Sequence, residues 1–185
     1  MKEKSKLILP LLIILCFLVL AVASGSDDDT PARQPANAAD GNGSADSGEN
    51  GEDETFGLNE TAVFNNINVT ATRLEKSEGG DFNTPSDGNI FVGVRFIIEN
   101  TSDEDQHIST MLLFNAFADD VALGLSISAS MAFGDGTLDG TISAGRRLEG
   151  YYAVEVPIDT QTLDIEMQPG IWSTGRAVFT FDLSE

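Results

Sequence analysis

The chain has 185 residues, 41% of them hydrophobic, and a formal charge of −20 from 30 acidic against 10 basic residues. So acidic a surface repels nucleic acid and anionic lipid, which excludes a nucleic-acid partner and any membrane contact beyond the N-terminal apolar segment. The single cysteine, Cys16, lies in that segment, so the rest of the chain has no disulfide or thiolate and must be held by its core.

Lys2, Lys4 and Lys6 form a basic head before the uncharged run Leu7 to Ala23. Those 17 residues span about 25 Å as a helix, and Ala21-Val22-Ala23 supplies the small-x-small pattern a signal peptidase reads. Residues 1–23 therefore predict an apolar helix that is either a signal peptide cleaved after Ala23 or a retained membrane anchor. Lysines on one side and acids on the other place the remainder outside the cytoplasm. From Ser24 onward the chain holds 29 acidic against 7 basic residues, a charge of −22.

Residues 24–55 are mostly Gly, Ser, Asn, Ala, Pro and acids, with no aromatic and no Val, Leu or Ile. A segment with so little to bury does not offset its ordering entropy, and it predicts a disordered acidic linker. As a flexible chain it would reach roughly 30 Å.

From Phe56 to the end, residues 56–185, short alternating runs replace this composition. Ile67, Val69 and Ala71 share one face of a strand. Ile90, Val92, Val94, Phe96 and Ile98 share a face of the strongest strand, whose other face, Phe91 to Glu99, is mixed. The run ISTMLLFNAFA, apolar on both sides, predicts a central strand, and Val121, Leu123, Leu125 and Ile127 predict another. The segment that follows, ISASMAFGDG, also permits a helical turn. Leu148, Tyr152, Val154 and Val156 point inward on the next strand, with Glu149, Tyr151, Ala153 and Glu155 outward. Leu163, Ile165 and Met167, then Ala177, Phe179, Phe181 and Leu183, complete the pattern. About seven or eight antiparallel strands joined by Gly, Asp, Asn and Ser turns predict an all-β fold, a β-sandwich.

Candidate chemistry is sparse. Gly134 to Arg147, GDGTLDGTISAGRR, begins like a calcium loop, with Asp135, Thr137 and Asp139 at alternate positions and Gly140 following. Arg146 stands where a bidentate glutamate should complete the coordination, so Asp135 and Asp139 are better read as turn residues. Asp103, Asp105 and His107 in NTSDEDQH form the densest acidic cluster after the linker, and a solvated loop accounts for it as well as a metal site does. His107 is the only histidine, which excludes a multi-histidine zinc site, and no Gly-x-Ser-x-Gly elbow presents a serine to it. Arg146 and Arg147 are the one basic doublet outside the leader, suited to local carboxylates or to an anionic ligand. Tyr151 and Trp172 are candidates for an aromatic binding surface, Tyr151 as the more exposed. No cofactor is expected.

Three stretches carry a family resemblance: Glu99-Asn100-Thr101 at a strand end, Leu138-Asp139-Gly140 with Ala144-Gly145, and Gly150 followed by Glu155-Val156-Pro157. In this order, the chain from about Leu58 to Leu183 resembles a domain of unknown function found in exported and lipid-anchored proteins of Gram-positive bacteria, related to the secreted mycobacterial antigen fold. The resemblance implies an immunoglobulin-like sandwich and no established activity. Many such proteins carry a lipidated cysteine after the apolar run, where this chain has Ser24-Gly25-Ser26. The sequence thus predicts a non-catalytic extracytoplasmic module at the cell surface whose partner is a protein or wall component. The alternative is a calcium-dependent exported factor or enzyme using the acidic loop 103–107.

Overall fold

The computed structural model describes residues 31–34, 54–81, 83–134, 136–170 and 175–184. The apolar leader and most of the linker lie outside these residues. Among the described residues no helix is long and apolar enough to cross a membrane.

In chain order the elements are β1 (Ala32–Gln34), β2 (Thr55–Phe56), β3 (Thr61–Val63), β4 (Ile67–Ser77), β5 (Asn89–Asn100), β6 (Gln106–Ile108), α1 (Thr110–Leu113), β7 (Phe114–Ala118), β8 (Val121–Leu123), α2 (Ile127–Ala132), β9 (Gly140–Ile142), β10 (Arg147–Pro157), β11 (Thr162–Met167) and β12 (Ala177–Asp182). One sheet runs β1-β3-β4-β5-β10 and the other β2-β12-β11-β7-β8, with β6 and β9 forming a separate ribbon. Every strand pair is antiparallel except β2 with β12.

This is the immunoglobulin strand order. Strands β4, β5 and β10 stand in the A, B and E positions, β12, β11 and β7 in G, F and C, and β8 in C′. Among the described residues no strand follows β10 in its sheet. Beside its free edge runs the segment around Thr137, bridged in parallel to Tyr151, and α2 packs against β10 and β5.

Alternation explains the core. Val92, Val94, Phe96 and Ile98 of β5 are buried, as are Ile67, Val69 and Ala71 of β4, the inward set of β11, and Ala177, Phe179 and Phe181 of β12. The register of β4 on β5 shifts between Ala71 and Arg73, a bulge that moves the next inward side chain to Leu74. Aromatic rings cross the interior from sheet to sheet. Phe96 meets Phe179 edge-on at 5.1 Å and Phe114 at 5.6 Å, and Phe114 stacks on Tyr152 at 5.2 Å.

Three expectations need correction. ISTMLLFNAFA is not one strand: Ile108 ends β6, Thr110–Leu113 form α1, and only Phe114–Ala118 join the sheet. The strand beginning at Val121 stops at Leu123, and the chain turns into α2, where a helical turn was one option. The acidic linker is not uniformly unstructured, because Ala32–Gln34 lie along β3 as an edge strand and Thr55 pairs with Val178. Arg33 holds that strand. Its guanidinium pairs with Glu60 at 3.0 Å and Glu54 at 3.6 Å, donates to the Thr55 carbonyl, and lies 5.4 Å over the Phe56 ring.

Candidate functional site

The acidic loop after β5 is folded around one side chain. Asn100 is buried, and its amide Nδ2 donates to the carbonyls of Glu104 at 2.7 Å and Ile142 at 2.8 Å. Its Oδ1 accepts from the Ser102 amide and hydroxyl, at 2.9 and 2.8 Å. Every hydrogen-bonding group of that amide is engaged, so the Glu99-Asn100-Thr101 motif is a strand-end clasp that ties the loop to β9. The loop carboxylates face outward: Asp103 and Asp105 are exposed, and so is His107, whose Nδ1 lies 3.0 Å from the Thr141 hydroxyl. Among the described residues no group of three or more His, Cys, Asp or Glu is placed to hold a metal ion.

Asp139, the second aspartate of the calcium-like stretch, has another task. Both its carboxylate oxygens accept from Thr110, one from the backbone N–H and one from the hydroxyl, each at 2.9 Å. The N-cap residue of α1, Ser109, makes no side-chain cap, so Asp139 closes the start of that helix from across the chain. Asp135 lies outside the described residues, as does Trp172. Gly145, at φ 67°, is the third residue of the turn in which the Arg146 N–H donates to the Ser143 carbonyl.

The basic doublet divides. Arg147 pairs with Glu149 at 2.7 Å, as expected of a local ion pair, while the Arg146 side chain is exposed on an open cleft of about 440 Å³ shared with Glu99, Asn100 and Thr101. Tyr151 corrects the sequence: predicted outward and exposed, it is only 8% accessible. It does point to the outer face of its sheet, but that face is covered. The Phe133 ring stacks on it at 5.4 Å, and its hydroxyl donates to Glu75 at 2.8 Å. Burial, with that carboxylate as hydrogen-bond partner, pushes the Tyr151 phenol above its ordinary value.

The cover is α2. Ser126 caps it, accepting from the Ala129 N–H at 3.1 Å. Ala129, Ala132 and Phe133 pack on Phe91 and Ala153, forming a second small core on the outside of the sheet. Gly93 makes this possible, since a Cβ there would lie 2.8 Å from the Phe133 ring. The Asn83 side chain donates to the Ser128 carbonyl at 2.7 Å and ties the β4–β5 connection to the helix.

With one side of α2 committed inward, Ile127 and Met131, four residues apart, share the outer side. Each is 71% exposed. On α1, Met111 and Leu112 are 74% and 60% exposed, and Leu125 before α2 is 52%. Between the helices lies a cleft of about 180 Å³ whose lining includes Thr110, Leu125, Ser130, Asp139 and Tyr151. Five large apolar side chains thus stand in water on or beside two short helices. Scattered exposed apolar residues need no explanation, whereas a group on one face marks an interaction surface. Sequence reasoning assigned all five to strands or left them unplaced. The overlooked signal was spacing: Ser126 as a cap, Ala129, Ala132 and Phe133 on one helical side, and Ile127 and Met131 on the other.

The family model for a domain of unknown function, DUF4352, matches residues 56–178. The chain belongs to the DUF4352 family. Two solved structures are similar to it. One is a candidate lipoprotein, ycdA, of Bacillus subtilis, with 14% identity, a TM-score of 0.54, and coverage of 65% of this chain and 37% of its own. The other is the yjhA protein of Bacillus subtilis, with 15% identity, a TM-score of 0.53, and coverage of 69% of this chain and 99% of its own. At these identities the likeness shows the shared fold, and the DUF4352 chain spans little more than a third of the ycdA structure. No curated protein matches it.

Proposed function

We propose that this DUF4352 protein is a non-catalytic binding module, displayed outside the cytoplasm at a Gram-positive cell surface and contacting a protein or wall component. The observation that carries the reading is the exposed apolar group on α1 and α2, which the core does not use and which costs solubility unless a partner covers it. The basic-headed apolar leader supports export, and the candidate-lipoprotein name of a structural relative supports surface attachment. The relationship to the secreted mycobacterial antigen fold is part of the same proposal, resting on the immunoglobulin strand order. The calcium-dependent alternative, on the acidic loop 103–107, has less behind it, because that loop is folded around the Asn100 amide while Asp103, Asp105 and His107 stand exposed.

The test is cross-linking on intact Gram-positive cells expressing the full chain, with a photoreactive residue at Leu112 or Met131 and, for comparison, at Ser184. A discrete adduct from the two helical positions and none from Ser184 is the expected result. Equal labelling at all three, or none at any, removes the proposed binding face.

A further inference from the structure

We propose that the outer edge of β3, with Glu54, Thr55, Phe56 and Glu60, is a receptor site for an extended arginine-bearing segment. The chain fills it with its own Pro31 to Gln34, a releasable clasp that sets how far the domain stands from the leader. The site is argued from its own contacts, and its consequence for reach rests on the surface-display reading.

The segment is suited to this task. Pro31-Ala32-Arg33-Gln34-Pro35 places a proline on either side of three residues. A proline favours extended backbone in the residue before it and has no N–H to lend a ladder, so the pair permits a short edge strand and stops its growth. That strand is present: Ala32, Arg33 and Gln34 lie opposite Val63, Ala62 and Thr61. Pro31 is buried, although the three residues after it are exposed. Arg33 is also the one cation between Lys6 and Arg73. A solvated acidic spacer needs neither a buried proline nor a lone arginine engaging Glu54, Thr55, Phe56 and Glu60 at once.

The receptor is supported by contacts that do not involve Arg33. Glu60 offers Oε1 to the guanidinium, while its Oε2 accepts the Gly57 N–H at 2.7 Å. Phe56, with the guanidinium 5.4 Å above its ring, is wedged against Phe179 at 5.5 Å between centroids. Thr55, whose carbonyl takes a second guanidinium nitrogen, is paired with Val178. Such preorganisation lowers the cost of docking, and removing Arg33 breaks none of these supports.

The hold itself is weak. It consists of three paired residues and ion pairs between partly exposed side chains, which are individually small and screened by salt. Against it stands the cost of closing the 19 residues from Pro35 to Asp53 into a loop. Clasped and released states are therefore close in free energy. Clasped, residues 24–31 separate leader from domain, at most about 28 Å of chain; released, residues 24–55 allow up to about 110 Å.

The test places nitroxides on Gln34→Cys and Glu99→Cys in the full chain, with Cys16→Ser. Both positions are exposed and lie three strand spacings apart through β3 and β4, about 15 Å between backbones. In phosphatidylcholine nanodiscs at low salt, pulsed dipolar spectroscopy should give a narrow, short distance. Arg33→Gln should lower the ratio of narrow to broad population roughly tenfold. Glu60→Gln, which still accepts from Gly57, should do the same, as should about 1 M salt in the parent. Gadolinium-chelating lipids should relax a single label at position 99 more strongly in the parent than in either variant. The same narrow distance in Arg33→Gln at high salt, or a broad one in the parent at low salt, overturns the proposal. So does a short distance between singly labelled chains mixed in equal amounts, which would make a second copy the occupant. Equal gadolinium relaxation in parent and variants, with the nitroxide ratio shifted, removes the control of reach. A chain recovered without its leader yet keeping the narrow distance removes anchoring by the leader and leaves the receptor site standing.

Discussion

The strands of the sandwich and the two helical pieces of the connection from Ser109 to Phe133 are both rich in apolar residues, yet they use them in opposite ways. In β5 and β10 the side chains at every second position vanish into the core, and ring contacts such as Phe96 with Phe179 tie the sheets together. In the connection, two short helices divide their apolar residues, with Leu113 and Ala129 inward and Met111, Leu112, Ile127 and Met131 outward. Hydrophobicity alone does not say which residues hold the fold; the period of the pattern and what returns to cover it do.

That contrast has a direct measure in stability. Phe96→Ala removes a fully buried ring in contact with Phe114 and Phe179, and should cost about 4 kcal/mol in chemical denaturation. Met131→Ala, on the solvent side of α2, should stay within about 0.5 kcal/mol of the parent chain. A comparable loss from both would show that the helical face is core after all.

A smaller effect is expected where the two regions meet. Gly93→Ala adds a methyl into the Phe133 ring with no room for it, so Phe133 must leave its stack on Tyr151 or the strand must bend. Overpacking of this kind costs roughly 2 kcal/mol. The strain should be released through α2 rather than through the sandwich. Amide exchange should therefore accelerate at Ala129 to Ala132 and stay slow in β11 and β12. Uniform acceleration would mean that α2 and the sheets unfold as one unit.

How much of this was legible in the sequence follows the same division. Ile67 to Ala71, Val92 to Ile98 and Leu163 to Met167 announce themselves because a strand with one face in the core repeats every second residue. The opposite face of β5 is mixed in sequence because Phe91 and Gly93 are covered by α2, which arrives more than 30 residues later. Tyr151 reads as exposed in the sequence for the same reason. A glycine in the middle of the strongest strand was the local sign that something approaches closely. Asp139 as a helix cap was not legible at all, since its partner Thr110 lies 29 residues earlier in the chain. The corrected site is a tertiary product, whereas the core is a local one.

The finest separation of the two regions should come from pH. The Glu155 carboxylate accepts from the Asn89 side chain at 2.9 Å and the Ser86 N–H at 2.8 Å, and these bonds hold its pKa below the ordinary glutamate value. A depressed folded-state pKa means that its stabilising contribution is complete above the unfolded value, near 4.3, and is lost as pH falls through the folded value. Protonation weakens the hold on Ser86 and Asn89 in the β4–β5 connection, the same connection whose Asn83 grips the Ser128 carbonyl of α2. Acidification below about pH 4 should therefore loosen α2 before the strands separate, visible as early exchange at Ala129 against late exchange at Ile165. Glu155→Gln, which cannot ionise, should open α2 already at neutral pH and flatten its acid response. If α2 and β11 instead lose protection together along the whole pH course, in parent and variant alike, the Glu155 tether does not control the helical face.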